Sequence, residues 1–258
     1  MLTRLRERLA LDGLNIVLPI SAPTLERELA AVSGPPLADL LAGACGAFVI
    51  GDGGPSFFAG FAARGLLPIV PDGKTVSEPG GEPLDDYTRA CVARAVDAAL
   101  SPQGKALRHR IVYPFEQVGA VPLPFQRLGR AAGLPAAGPL GLQIHPQFGP
   151  WWAYRALVIV AGVGTTIEDE PPLAASCDAC PAPCAVACPG HAPVPGGGFL
   201  VGRCVSHRLA HAECALGCAA RSACPVGEGH RYPDGQLAFH MTASLVQVRR
   251  WAARRTSA

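Results

Sequence analysis

No stretch of this chain approaches the roughly 20 uninterrupted apolar residues of a membrane-spanning helix, so a single-pass or multi-pass helical membrane protein is not expected. Excess charge of either sign is also missing. Lysine and arginine total 22 against 20 aspartates and glutamates, a formal +2. That is too near zero to point to a polyanionic partner, because nucleic-acid steering needs a concentrated basic surface. No internal period recurs, and the 30 glycines and 26 prolines, in an Ala-rich background, read as compositional drift. The apolar run Leu14 to Ile20 is short and lacks a convincing cleavage site, so no secretory signal is read and a cytoplasmic protein is expected. The 258 residues suffice for one large domain, or a domain with an appended module, around a packed core.

What the chain does have is cysteine. Of its ten, eight lie between Cys177 and Cys224. In a reducing compartment crowded thiols are more often metal ligands than disulfides. Cys45 and Cys91 stand apart in apolar surroundings and read as buried structural thiols. The crowded set forms one run, Cys177-x2-Cys180-x3-Cys184-x3-Cys188-Pro189, then Cys204, then Cys214-x3-Cys218-x5-Cys224-Pro225.

A cubane iron-sulfur cluster needs four thiolates, and in bacterial ferredoxin runs the final Cys-Pro cysteine ligates the other cluster. Swapping the fourth ligands in this way gives one set of Cys177, Cys180, Cys184 and Cys224 and another of Cys188, Cys204, Cys214 and Cys218. The spacing supports this pairing without fixing it. Several gaps exceed the ferredoxin two, so a three-iron or labile cluster stays open. Structural zinc is the alternative, because His207 and His211 lie four apart and offer a mixed site with Cys214 and Cys218. Against zinc, eight cysteines divide evenly into two four-sulfur sites without a histidine.

The first two thirds alternate helical and strand patterns. Helices are expected from the N-terminus, over 22–31, over Pro83 to Leu100, where Asp85 and Asp86 complement the helix dipole, and over Pro122 to Ala132. Strands are expected at Ala47 to Ile50, Arg108 to Tyr113 and Ala156 to Val160. Gly51-Asp52-Gly53-Gly54 reads as a turn. This is an α/β layout. The acidic, Pro-rich segment 168–172 reads as a linker, and Leu237 to Arg255 as a closing helix whose Arg249, Arg250, Arg254 and Arg255 form a solvated face. The expected division is an α/β domain over 1–168, a cysteine module over 169–235 and a C-terminal helix over 236–258.

The cysteine run with Arg203-Cys204-Val205-Ser206 resembles the iron-sulfur region of the epoxyqueuosine reductases, in the same order with two or three gaps expanded. Upstream, Ala132-Gly133-Leu134, Gly138 and the stretch from Leu142 to Trp151 continue that likeness. His145-Pro146-Gln147-Phe148-Gly149-Pro150-Trp151 through Arg155 also resembles the His-Pro-x-Phe-Gly-Gly-Trp-Phe-Ala-x-Arg motif of the CblC cobalamin-processing proteins.

The resemblance spans about residues 45 to 235. It implies a nitroreductase-like mixed sheet flanked by helices, with a C-terminal ferredoxin-like module of two 4Fe-4S clusters. It further implies a base-off cobalamin held near His145, Phe148, Gly149, Trp151 and Arg155, with Arg155 where CblC contacts a thiol cosubstrate. A flavin is an alternative occupant in this fold. The expected activity is a corrinoid-dependent reductase fed by an external ferredoxin- or flavodoxin-type donor, acting on a cobalamin upper ligand or a small substrate.

One departure bears on chemistry. The reductases carry Asp-Ser-Gly-Pro where this chain, counted back without gaps from Leu134, has Gly119-Ala120-Val121-Pro122. Gly119 cannot supply the proton that epoxide reduction needs. A tRNA substrate is therefore not expected, unless Glu116 or His145 replaces the acid. The remaining reading is a ferredoxin-type electron carrier or cobalamin chaperone without chemistry of its own.

Overall fold

The computed structural model of the chain describes residues 1–65, 83–101, 107–118, 121–174, 177–196 and 198–256. Two compact units emerge, one of Met1–Gly133 with Ala153–Pro172, the other of Leu134–Trp152 with Leu173–Ala258. The boundaries differ from those expected. Residues 134–152, expected in the α/β domain, pack with the cysteine-rich region, whereas 169–172, expected to begin the cysteine module, stay with the first unit. The C-terminal helix is part of the second unit.

The first unit is built on a four-stranded sheet ordered β1-β2-β6-β3. In chain order its elements are α1 (Leu2–Ala10), β1 (Ile16–Ser21), α2 (Ala22–Ala30), α3 (Leu37–Leu40), β2 (Ala44–Gly53), α4 (Ser56–Ala62), α5 (Pro83–Leu100), β3 (Arg108–Val112), β4 (Gln117–Val118), β5 (Val121–Pro122), α6 (Phe125–Ala131) and β6 (Trp152–Ala161). β1 runs antiparallel to β2, from Ile16 opposite Gly51 to Ser21 opposite Gly46, and β3 runs antiparallel to β6, from Arg108 opposite Ala161 to Val112 opposite Leu157. The two inner strands are apolar because both faces are covered, and every residue of β6 from Arg155 to Ala161 is buried.

Helices cover the sheet through the apolar stripes that the 3.6-residue period supplies. Leu5 and Leu9 of α1 are fully buried, and α5 turns Leu84, Thr88, Cys91, Val92, Ala95, Val96 and Ala99 inward. The α1 helix packs on α5. Thr88, polar and wholly buried, spends its hydroxyl on the carbonyl of Leu84 at 2.7 Å.

The acidic segment after β6 acts as a cap rather than a free linker. Asp169 accepts hydrogen bonds from the Ser21 N–H (2.7 Å), the Ser21 hydroxyl (2.9 Å) and the Thr24 hydroxyl (2.7 Å), at the start of α2. Burial alone would raise the Asp169 carboxyl, but these donors outweigh it and hold its pKa below the usual aspartate value. A depressed carboxylate pKa adds stability above the unfolded value and loses it as pH falls through the folded one.

Deeper in the unit, the Gly51-Asp52-Gly53 segment extends β2 where a turn was expected. Asp52, with no exposed surface, pairs with the Arg155 Nε of β6, and the guanidinium lies 4.9 Å from the Phe57 ring centre. Two charges taken out of water in this way hold each other, so removing one leaves the other uncompensated. Arg155→Met and Asp52→Leu should each destabilise the protein by about 3–5 kcal/mol. The double variant should lose clearly less than the sum of the two, as read from chemical denaturation.

The second unit is helical. After the irregular stretch Leu134 to Trp151 come α7 (Pro183–Ala187), a small hairpin of β7 (Pro193–Val194) and β8 (Gly198–Phe199), α8 (Val201–Ala210), α9 (Glu213–Leu216), α10 (Ala219–Ser222) and α11 (Asp234–Thr256). Short helices follow from frequent Gly, Pro and Cys. The long α11 packs against α8 and α9, and its Arg249, Arg250 and Arg254 lie on exposed positions. Among the described residues no helix is long and apolar enough to cross a membrane.

Candidate metal centres

The eight crowded cysteines sort into two cavities of the second unit. Cys177, Cys180, Cys184 and Cys224 line one of them, walled by Leu140, Ile144 and Val226. Cys188, Cys204, Cys214 and Cys218 line a wider one, with Leu142, Phe199 and Met241 beside the polar His207, Arg208 and Arg221. Both sets are the ones obtained by exchanging the last cysteine of each run.

Local structure explains the sorting. Cys184 lies inside α7, whereas Cys188 is its C-cap in extended backbone (φ −78°, ψ 112°), so the chain leaves the helix there and the two cysteines line different cavities. The same happens around α10, where Cys218 is the N-cap and Cys224 follows the C-terminus. Because α7 packs on α10, each helix sends one cysteine to either side. Cys204 and Cys214 come from α8 and α9. Arg208 ties these two to α11, through the Cys214 carbonyl at 3.3 Å, the Met241 carbonyl at 2.9 Å and the Ser244 hydroxyl at 3.0 Å. Gly138 leaves room for sulfur, since a Cβ there would lie 2.7 Å from the Cys177 Sγ.

Burial pushes the thiols of Cys177, Cys184, Cys204, Cys214 and Cys224 upward. Neighbouring sulfurs of the same cavity add to it, Cys224, Cys180 and Cys184 acting on Cys177, and Cys218, Cys188 and Cys214 on Cys204. A cation array that replaces the thiol protons would reverse this.

The donor set fits iron-sulfur cubanes better than tetrahedral zinc. Zinc with bonds of about 2.3 Å holds its sulfurs roughly 3.8 Å apart, whereas a cubane keeps the thiolates further apart with iron between them. Among the described residues, the one group of three or more His, Cys, Asp or Glu ligand atoms lying within 4.8 Å of one another is His207, His211 and Glu213, with no cysteine in it. The mixed site of both histidines with Cys214 and Cys218 is therefore not assembled.

The motif from His145 to Arg155 is engaged in packing. His145 and Gly149 exchange backbone hydrogen bonds at 3.0 and 2.7 Å, and the His145 Nδ1 accepts from the N–H of Gln147 (3.2 Å) and of Phe148 (3.4 Å). Burial, with help from nearby His230, lowers its pKa to about 4, so the ring is neutral at pH 7. Gly149 has φ +60°, and a Cβ there would lie 1.9 Å from the Val226 carbonyl oxygen; one on Gly227 would lie 2.2 Å from the Phe148 carbonyl carbon. Two backbone segments cross at these glycines because nothing larger fits. Phe148 meets the edge of His230 at 4.8 Å.

Trp151 is 1% exposed, edge-on to Tyr232 at 5.5 Å. The guanidinium of Arg221 stands 4.8 Å from both ring centres. Trp151 thus offers no free face, and Arg155 is the buried partner of Asp52 in the other unit. The five residues that the resemblance assigns to a corrinoid all have partners within the protein: His145 and Gly149 through backbone hydrogen bonds, Phe148 on His230, Trp151 on Arg221 and Tyr232, and Arg155 on Asp52. Sequence reasoning missed Arg221 and Tyr232, since nothing local marks a cation that will lie over two touching aromatic rings.

Both substitute acids have partners within the protein. Glu116 accepts from the Tyr113 N–H at 3.1 Å and pairs with Arg89, and His145 is a hydrogen-bond acceptor. Gly119, at the family's acid position, lies outside the described residues. Cys91 is buried and Cys45 half-buried, its thiol 3.2 Å from the Val160 carbonyl, and burial raises both.

These features define a mixed α/β protein, an antiparallel sheet flanked by helices, with a cysteine-rich C-terminal region consistent with a ferredoxin-like module. Solved structures with this fold include the epoxyqueuosine reductases of Streptococcus thermophilus (TM-score 0.53, 17% identity, covering 90% of this chain and 67% of that one) and Bacillus subtilis (0.55, 17%, 90% and 66%). The B12-trafficking protein CblC of C. elegans is similar as well (0.54, 15%, 95% and 92%). Comparison with protein-family models and with curated proteins finds no match.

The cavity sorting makes a pairing test possible. The double variant Cys184→Ser/Cys224→Ser should lose about half of the iron, whereas Cys184→Ser/Cys204→Ser should lose nearly all. Iron analysis with EPR of the reduced protein reads the difference, and equal losses would refute the pairing. Gly149→Ala should lower the thermal midpoint by several degrees, because the two crossing segments must separate.

Proposed function

We propose that the chain is an iron-sulfur reductase in which two 4Fe-4S clusters, on Cys177, Cys180, Cys184 and Cys224 and on Cys188, Cys204, Cys214 and Cys218, deliver electrons to a corrinoid. The sorting of eight thiols into two four-sulfur cavities carries the redox part of this reading. When bound, such clusters supply single-electron steps at low potential. The protein's own contribution is the apolar wall around each sulfur set, which excludes water and fixes ligand directions, and the arginines of the second cavity, which set cations beside thiolates.

The corrinoid part rests on the fold shared with a B12-trafficking protein and with epoxyqueuosine reductases. Trp151 and Arg155 lend it no support, so their replacement is expected to impair folding before it impairs binding. We place the electron donor among small ferredoxin- or flavodoxin-type carriers. A tRNA reductase is the less favoured activity, because Glu116 and His145 are both engaged.

Anaerobic purification with iron and sulfide analysis, followed by a spectral titration with cobalamin, tests both parts. About eight irons per chain, with the shift that marks loss of the lower ligand, is the expected result. Iron without that shift would leave an electron carrier, and zinc in place of iron would overturn the redox reading.

A further inference from the structure

His207 lies on α8, and His211 is the C-cap of that helix, one turn further on. Residues four apart share a helix face, and their rings stack here with centres 4.1 Å apart at 19°. Glu213, in the first turn of α9, closes the group. Its Oε1 lies 3.4 Å from the His207 Nε2 and 3.8 Å from the His211 Nδ1, and the three ligand atoms all fall within 4.8 Å of one another. The His207 Nε2 is shielded from solvent with the Glu213 carboxylate beside it, while His211 and Glu213 are exposed.

Two imidazoles and a carboxylate are the donor set for a borderline divalent cation, and paired histidines at this helical spacing serve zinc elsewhere. Zinc–ligand bonds of about 2.0–2.1 Å set tetrahedral donor atoms roughly 3.3 Å apart. The His207–Glu213 distance already meets this; the His211–Glu213 distance must close by about half an ångström, and the exposed His211 ring must swing out of its near-parallel stack so that both nitrogens point at one ion.

We propose that His207, His211 and Glu213 form a binding site for a divalent cation of the zinc type, with its remaining coordination position open to water. The site straddles the turn between α8 and α9, the helices that bring Cys204 and Cys214 to the second cavity, so an ion there would pin that turn. His207 also borders the second cavity and Glu213 directly precedes Cys214, but none of the three donors is a cysteine, so the site takes no sulfur from either set.

The test uses the full chain, purified anaerobically with whatever iron it carries, exposed to zinc and then to a weak chelator, with both metals measured. Wild type should retain about one zinc per chain beyond any on the cysteines, without losing iron. Loss of even an outer partner costs 10–100-fold in affinity, so His211→Ala and Glu213→Gln should each weaken binding by roughly 100-fold at unchanged iron content. Equal zinc retention by wild type and both variants would overturn the site, as would zinc gained only in step with iron lost, or no zinc retained at all. A preparation without iron whose zinc still falls in both variants would sink the cluster reading and leave this site standing.

Discussion

Four sulfurs cannot ionise together in an apolar cavity unless something positive joins them. That constraint governs the second unit. Burial, with the cost of ionising beside other sulfurs, pushes up the thiols of Cys177, Cys184, Cys204, Cys214 and Cys224. Packing alone does not explain why two helices as short as α7 and α10 direct their cysteines inward on both sides. An iron array with sulfide bridges would take the place of the protons and tie these helices together, so the fold of this unit and its cofactor chemistry are one problem.

The same reasoning separates structure from chemistry in the most recognisable stretch of the sequence. The segment from His145 to Arg155 is conspicuous because it packs tightly from end to end. The imidazole receives two backbone N–H groups, the glycine permits two chain segments to cross, the indole packs against both an arginine and a tyrosine, and the last arginine neutralises a buried aspartate. Each of these roles demands one residue type, so the motif reads as functional in sequence while its side chains are already committed within the protein.

How far the sequence could be read depended on whether the signal was local. The 18-residue helix from Pro83 to Leu100 was legible at both ends, because its acidic first turn and apolar stripe lie within one segment. The strand Ile16–Ser21 was passed over. Its Pro19 argues against a strand in general, yet β1 is at the edge of the sheet, where proline is tolerated. The glycines flanking Asp52 suggest a turn, whereas the strand there depends on a partner more than a hundred residues away. The cysteine sets were legible because the Cys-Pro ends carry a rule about exchange between runs. The Glu213 partnership with His207 and His211 was not, since it depends on how the chain turns between two helices.

The expanded gap between Cys180 and Cys184 is accommodated by backbone torsion. Ala182 takes a left-handed conformation, φ 53° and ψ 53°, immediately before α7, a choice that costs an alanine about 1–2 kcal/mol. The added residue is coiled up in that kink, and Cys184 still lines the same cavity as Cys177 and Cys180. Three cysteines spaced by two and then three residues thus come to one cavity because a single left-handed residue absorbs the longer interval.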